Sequence, residues 1–310
     1  MKRIMRPSVF SANMLFFLYM LLTSIVFAIV YALPGVKEIW KTDWFTYIIL
    51  IVNQIVFMIG PPFIYLKATG RDIRTVVRFK RINAAQVVII FTIFMLSSYV
   101  VGPLNELWGR LLSTLGYTVK DLGIPAPPDL KMLALGLLAV AIIPPICEEF
   151  MYRGVVLRAY ENKGKAAAIV MSSLLFGFMH GTLEQLAYAV ALGLLMAALV
   201  YITDSLLSGM LIHFLYNARS MIVLYMLQFI KMEEEVSSIT SSNLSLVITI
   251  VAFTSLILLM LYVLYQVSRK QERIQIVNSD ENRPVIGKYA PLVLALLLVG
   301  FGYYSLIIAG

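Results

Sequence analysis

Nine apolar stretches, at residues 11–33, 44–66, 83–103, 132–153, 165–182, 184–203, 206–230, 244–266 and 290–309, constrain what this chain can become. Each is long enough, or nearly so, to cross a hydrocarbon layer about 30 Å thick as a helix of about 20 residues. Lipid offers the backbone no hydrogen-bond partner, so a spanning segment must satisfy its own N–H and C=O groups as a helix or within a closed barrel. The alternating apolar and polar positions of barrel strands are absent. The expected fold is therefore an all-α polytopic transmembrane helix bundle of eight to nine spans. Composition agrees: the chain is 60% hydrophobic and 14% charged, with a mean hydropathy of +0.87. Soluble domains are about 45–50% apolar and about a quarter charged.

The formal net charge of +8 reads as loop orientation, not as nucleic-acid binding. Lys2, Arg3 and Arg6 keep the N-terminus in the cytoplasm. Lys67, Arg71, Arg74, Arg78, Lys80 and Arg81, against Asp72 alone, place the loop after the second span on the same side. Arg158, Lys163 and Lys165 do so after the fourth, and Arg269, Lys270 and Arg273 after the eighth. Outward loops are near neutral, as where Lys37 and Lys41 meet Glu38 and Asp43, or acidic, as at Glu233 to Glu235. The C-terminus then lies outside. The apolar run from Met14 to Leu33 exceeds the ~7–15-residue core of a secretion signal, so it reads as a retained first span. The basic 67–82 loop is placed to touch anionic headgroups. The single cysteine, Cys147, excludes an intramolecular disulfide and reads as a buried, inert thiol.

Between the third and fourth spans, Leu104, Trp108, Leu111, Leu112 and Leu115 keep helical spacing until Pro125, Pro127 and Pro128. This reads as an interfacial amphipathic helix or a polar loop. Trp40, Trp44 and Trp108 sit near the ends of spans, as an anchoring belt would. The layout divides into N-terminal helices over 1–130, a core over 131–230 and C-terminal helices over 231–310.

The chemistry gathers at the end of the fourth span, in Cys147-Glu148-Glu149-Phe150-Met151-Tyr152-Arg153-Gly154. Ionisable groups within a membrane are costly unless paired or set in a wet cavity, which makes them candidate functional residues. Glu149 and Arg153 stand at i and i+4 and can pair; Glu148 points about 100° away and is left for other work. Both histidines of the chain, His180 and His213, lie in or at the end of apolar spans. His213 and Asn217 share a helix face. Glu148 and His180 are equidistant from the turn near residue 164, so an antiparallel hairpin sets them level. For His213 to meet them, either the helices tilt or the chain breaks at Gly181. Pro144 and Pro145 should kink the fourth span and free backbone carbonyls. Asn53, Gln54, Glu184, Gln185 and Arg219 read as interhelical hydrogen-bonding groups, with Glu184 and Gln185 also near enough to His180 to touch a substrate.

Glu-Glu-Phe-x-x-Arg-Gly, then Phe-x-x-x-His, then His-x-x-x-Asn, in that order over roughly residues 130–220, resembles the CPBP family of CAAX prenyl proteases and bacteriocin-processing enzymes, also called Abi. The resemblance implies an intramembrane endopeptidase of a prokaryotic plasma membrane. Glu148 would activate water with help from His180, His213 and Asn217 would stabilise the oxyanion, and Glu149 and Arg153 would be structural or hold substrate. The partner implied is a membrane-embedded or lipid-anchored peptide or protein. A metal-independent glutamate mechanism, with no cofactor, is the preferred reading. Its alternative puts zinc on Glu148, His180 and His213, although no His-Glu-x-x-His pairing is present. Two other classes compete: a non-catalytic scaffold or immunity protein with a structural ion network, and a proton-coupled transporter with the carboxylates as relay.

Overall fold

The structure is a computed structural model that describes residues 5–32, 36, 39, 42–118, 124–229, 242–268 and 285–308. Among the described residues, nine long helical runs follow one another: α1 (Val9–Ala32), α2 (Asp43–Ala68), α3 (Ala84–Thr114), α4 (Leu130–Lys163), α5 (Lys165–Phe178), α6 (Leu183–Thr203), α7 (Leu206–Leu227), α8 (Asn243–Ser268) and α9 (Val285–Ile308). No strand occurs among the described residues. The bundle is all-α, and seven of the helices are long and apolar enough to cross a membrane; α5 and the apolar part of α9 (Gly287–Gly300) are shorter. Lys2, Arg3, Trp40, the acidic stretch at Glu233 and the basic one at Arg269 lie outside the described residues.

The outer surface is itself apolar. Ile64, Val88, Val251, Leu258 and Leu297 each show more than half of their surface, as lipid-facing side chains would. Burial concentrates instead on α4, whose residues 150–160 are all buried. Around it, α5 packs on α6, α7 on the first half of α4, α3 on α8 and α1 on α9. Where every surface is oily, side-chain hydrogen bonds add register to packing. Asn13 donates to the Lys288 carbonyl at 3.0 Å and accepts from Tyr160 at 2.7 Å, tying α1 to α9 and α4. Gln86 closes the N-terminal capping box of α3 with Asn83 and donates to Ser268 of α8 at 3.0 Å.

Two helices change their winding ahead of a proline pair. In α2, a π-helical stretch over Asn53–Ile59 precedes Pro61 and Pro62; in α4, one over Leu137–Ile142 precedes Pro144 and Pro145. Proline has no N–H to give, so the turn before it loses its ordinary partner, and wider winding absorbs the mismatch. The Val140 carbonyl shows the consequence. Its partner would be residue 144 in an α-helix and residue 145 in a π-helix, and both are proline. Asn217 of α7 supplies the missing donor, with Nδ2 2.8 Å from the Val140 oxygen. Asn217→Ala is therefore expected to destabilise the protein by about 1–3 kcal/mol, the cost of an orphaned buried acceptor. Adding Pro144→Ala should restore part of that loss by returning an N–H to Val140. Thermal unfolding in detergent of both single variants and the double variant checks it; additive losses would disprove it.

The separate interfacial helix expected after residue 103 is not there. α3 runs through Pro103 without a break and ends only at Thr114, with Gly116 at φ +80° closing the turn. Trp108 is not simply a belt residue either, because its indole donates to the Leu183 carbonyl at 2.7 Å and joins α3 to the start of α6.

Candidate active site

The helical break needed for convergence is at Gly181. α5 stops at Phe178 after 14 residues, about 21 Å of rise, and so falls short of a full span. Gly181 then takes φ +68°, which costs glycine nothing, and α6 starts at Leu183. His180 thus sits in a turn within the apolar depth of the bundle. Its Nδ1–H donates to the Phe176 carbonyl at 2.8 Å, which fixes the tautomer and leaves Nε2 as the nitrogen able to take a proton.

The sequence motifs come together on α4 and α7. His213 Nδ1 lies 3.1 Å from Glu149 Oε1, and His213 Nε2 lies 3.7 Å from Glu148 Oε2. One imidazole therefore bridges both carboxylates, and all three side chains are buried. The Glu149–Arg153 pair forms as the spacing predicts, at 2.6 Å with neither side chain exposed, and Arg153 also donates to the Gly193 carbonyl at 3.1 Å. Glu149 does more than that pair required: the oxygen that holds Arg153 also receives His213.

Phe176, the first residue of the second motif, joins the remaining groups. Its ring stands edge-on to His180 (centroids 5.0 Å) and to His213 (5.6 Å), and the Arg153 guanidinium lies 4.4 Å from its centroid. His180 thus reaches the cluster across an aromatic ring. Asn217, one turn beyond His213, spends one amide hydrogen on Val140 and keeps the other.

Sequence reasoning missed the specific role of Gln54. Its Nε2 donates to Glu148 Oε1 at 2.6 Å, so a residue of α2 holds the carboxylate of α4. Only its polarity in an apolar run, just ahead of a proline pair, marked it out. Glu184 and Gln185 turn elsewhere: Tyr117 donates to Glu184 at 2.8 Å, and Thr182 to Gln185 at 3.3 Å. Arg219 bonds Ser98 of α3, as an interhelical group should. It helps to line a cavity of about 290 Å³ beside Tyr188 and Tyr216.

The close approach of α7 to Glu149 depends on Gly209, one turn before His213. A Cβ there would lie 2.5 Å from Glu149 Oε2 and 2.8 Å from Val200. Alanine in a helix ordinarily gains about 1 kcal/mol over glycine. Gly209→Ala is expected to do the reverse and lower the unfolding temperature, because a buried, ion-paired carboxylate cannot step aside freely. An unchanged or raised midpoint would disprove this.

The zinc alternative rests on Glu148, His180 and His213. Among the described residues no three His, Cys, Asp or Glu side chains gather as metal ligands. Glu148 is held by Gln54, His213 by Glu149, and the Nδ1 of His180 by a carbonyl. Each of the three keeps one atom open: Glu148 Oε2, His180 Nε2 and His213 Nε2.

Residues 130–219 match the family model described as Type II CAAX prenyl endopeptidase Rce1-like. That stretch runs from the start of α4 to two residues beyond Asn217, and so contains all three motifs. This segment is similar to the CAAX protease family. Neither the curated proteins nor the solved structures include a match to this chain. The family is one of endopeptidases, and the matched segment here is embedded in a multi-pass bundle, with α2 adding Gln54 from outside the matched residues.

Proposed function

We propose that the chain is an intramembrane endopeptidase that cleaves a membrane-embedded or lipid-anchored peptide, with CAAX-type prenylated tails as the first substrate class to try. The observation that carries this reading is the bridge of His213 between Glu148 and Glu149. Their roles follow from the atoms each presents. Glu148 Oε1 is occupied by Gln54, so Oε2 faces the site. A water hydrogen-bonded to both Oε2 and His213 Nε2 fits at the apex of a triangle whose base is their 3.7 Å separation. Glu148 takes the proton as the water oxygen attacks the peptide carbonyl carbon, and the proton passes to the leaving nitrogen when the C–N bond breaks.

His213 gives its Nδ1–H to Glu149, whose own charge is balanced by Arg153, and this fixes which nitrogen faces the substrate. When Nε2 carries a proton, it donates to the developing oxyanion together with the remaining N–H of Asn217. His180 offers Nε2 as a second acceptor that orients the water. Glu149 and Arg153 act through His213 and are positioning residues. The reaction needs no metal in this scheme. The basic loops support placing the N-terminus and the water-bearing face in the cytoplasm of a prokaryotic cell.

The test is cleavage of a fluorogenic panel of lipidated and unlipidated membrane peptides by the purified protein, with and without chelator. Chelator-resistant cleavage that is lost in His213→Ala supports the scheme. Loss on chelation with recovery on added zinc would overturn the metal-free mechanism, and proton-coupled uptake into liposomes without cleavage would overturn the enzyme.

A further inference from the structure

A second polar cluster lies away from the catalytic residues, where the turns α4–α5 and α6–α7 meet the 69–82 loop. At its centre is Arg78, which is 5% exposed and has a left-handed φ of +58°. Its carbonyl accepts the Leu206 N–H at 2.9 Å. Its Nε donates to Asp204 at 2.6 Å and its Nη2 to Glu161, while its buried Nη1 has no partner among the described residues. Asp204 is left-handed too, at φ +50°. Burial works against its charge, but Arg78 and Lys80 outweigh that and hold its carboxyl below the usual carboxylate range. Two non-glycine residues in this sparsely used region, locked to each other by an ion pair, mark a place whose geometry is held by its surroundings.

Arg78 lines a cavity of about 160 Å³ with Arg6, Arg158, Lys165, Tyr201 and the two acids, Glu161 and Asp204. Four cations thus face two carboxylates. Both carboxylates are already engaged, Glu161 by Arg78, by Arg158 at 3.0 Å and by Arg6 at 3.6 Å, Asp204 by Arg78 and Lys80. What remains is an excess of positive charge around a guanidinium N–H with nothing to bond. The site is separate from the catalytic one, since α7 begins at Leu206, about 10 Å of helical rise before His213, and Asp204 lies in the turn before it.

We propose that this cavity binds a phosphate group. Arginine's planar fork suits phosphate oxygens, and Nη1 is placed to donate to one. The cluster joins the ends of three apolar helices, α4, α6 and α7, where an anionic headgroup would lie. A soluble phosphate has the same chemistry. Occupancy would lock the loop before α3 to the turns that carry α4 and α7.

The experiment uses the full chain, delipidated in neutral detergent, and follows thermal unfolding and native mass spectra. The probes are phosphatidylglycerol, phosphatidylcholine, and inorganic phosphate with chloride at matched ionic strength. Phosphatidylglycerol or phosphate, but not phosphatidylcholine or chloride, should raise the unfolding temperature. Arg78→Gln and Lys165→Gln should each weaken the apparent affinity by at least three-fold. A response to phosphatidylglycerol alone assigns a headgroup, and a response to phosphate assigns the soluble anion. If Arg78→Gln does not fold, Lys165→Gln decides. No response to either anion, or affinity within three-fold of wild type in the folded variants, would overturn the proposal.

Discussion

Glu148→Gln should lower kcat for peptide cleavage by about 10²–10⁴-fold, the range contributed by a positioned general base. The substitution keeps size and shape, and the amide oxygen can still accept from Gln54. What disappears is the basic oxygen 3.7 Å from His213 Nε2. KM should change little, because the lost interaction belongs to the water and not to the peptide. Gln54→Leu separates support from chemistry. It removes the 2.6 Å hydrogen bond that aims the carboxylate, and should slow cleavage by less than the loss of the base itself. Single-turnover rates of the folded variants check both, and wild-type kcat in Glu148→Gln would refute the proposed mechanism.

Arg153→Met should be the most destabilising single change at the site, by about 3–5 kcal/mol, the cost of leaving one partner of a buried ion pair uncompensated. The stranded charge would be Glu149, which has no exposed surface and already has one oxygen, Oε2, without a partner. Glu149→Gln should strand Arg153 in turn. The double variant should recover much of either loss, since no charge is then left alone. Unfolding midpoints in detergent for the two single variants and the double variant give the coupling, and simple additivity would exclude it. Glu149→Gln carries a further signature: His213 loses the carboxylate that fixes its tautomer, so cleavage should fall even where the fold is rescued by Arg153→Met.

Much of this was legible in the chain. Which segments become helices followed from the apolar runs, because the backbone in lipid has so few ways to satisfy itself, although α3 and α4 run on to Thr114 and Lys163, past the ends at 103 and 153 that the runs suggested. The Glu149–Arg153 pair followed from i, i+4 spacing, which is local geometry. Glu148, His180, His213 and Asn217 stood out because polar groups in an oily run need a reason to be there. Other contacts were not legible. Gln54 on Glu148, Glu149 on His213 and Asn217 on Val140 each join residues 64 or more positions apart. The unbroken helix through Pro103 also escaped, because proline weakens a helix locally while the packing of its neighbours decides whether it stops.

The amino-acid sequence alone determined that this chain becomes a membrane helix bundle and which polar side chains its apolar spans carry. The tertiary structure alone decided which of those side chains face one another, where α5 breaks, and that a second, cationic cavity forms around Arg78. The reason lies in the solvent. Hydropathy says that a segment enters lipid, but in lipid every flank of a helix is nearly as apolar as the next, so pattern carries little about rotation or partner. Those are set by close packing at positions such as Gly209 and by polar groups finding each other across helices, and both exist only once the bundle is assembled.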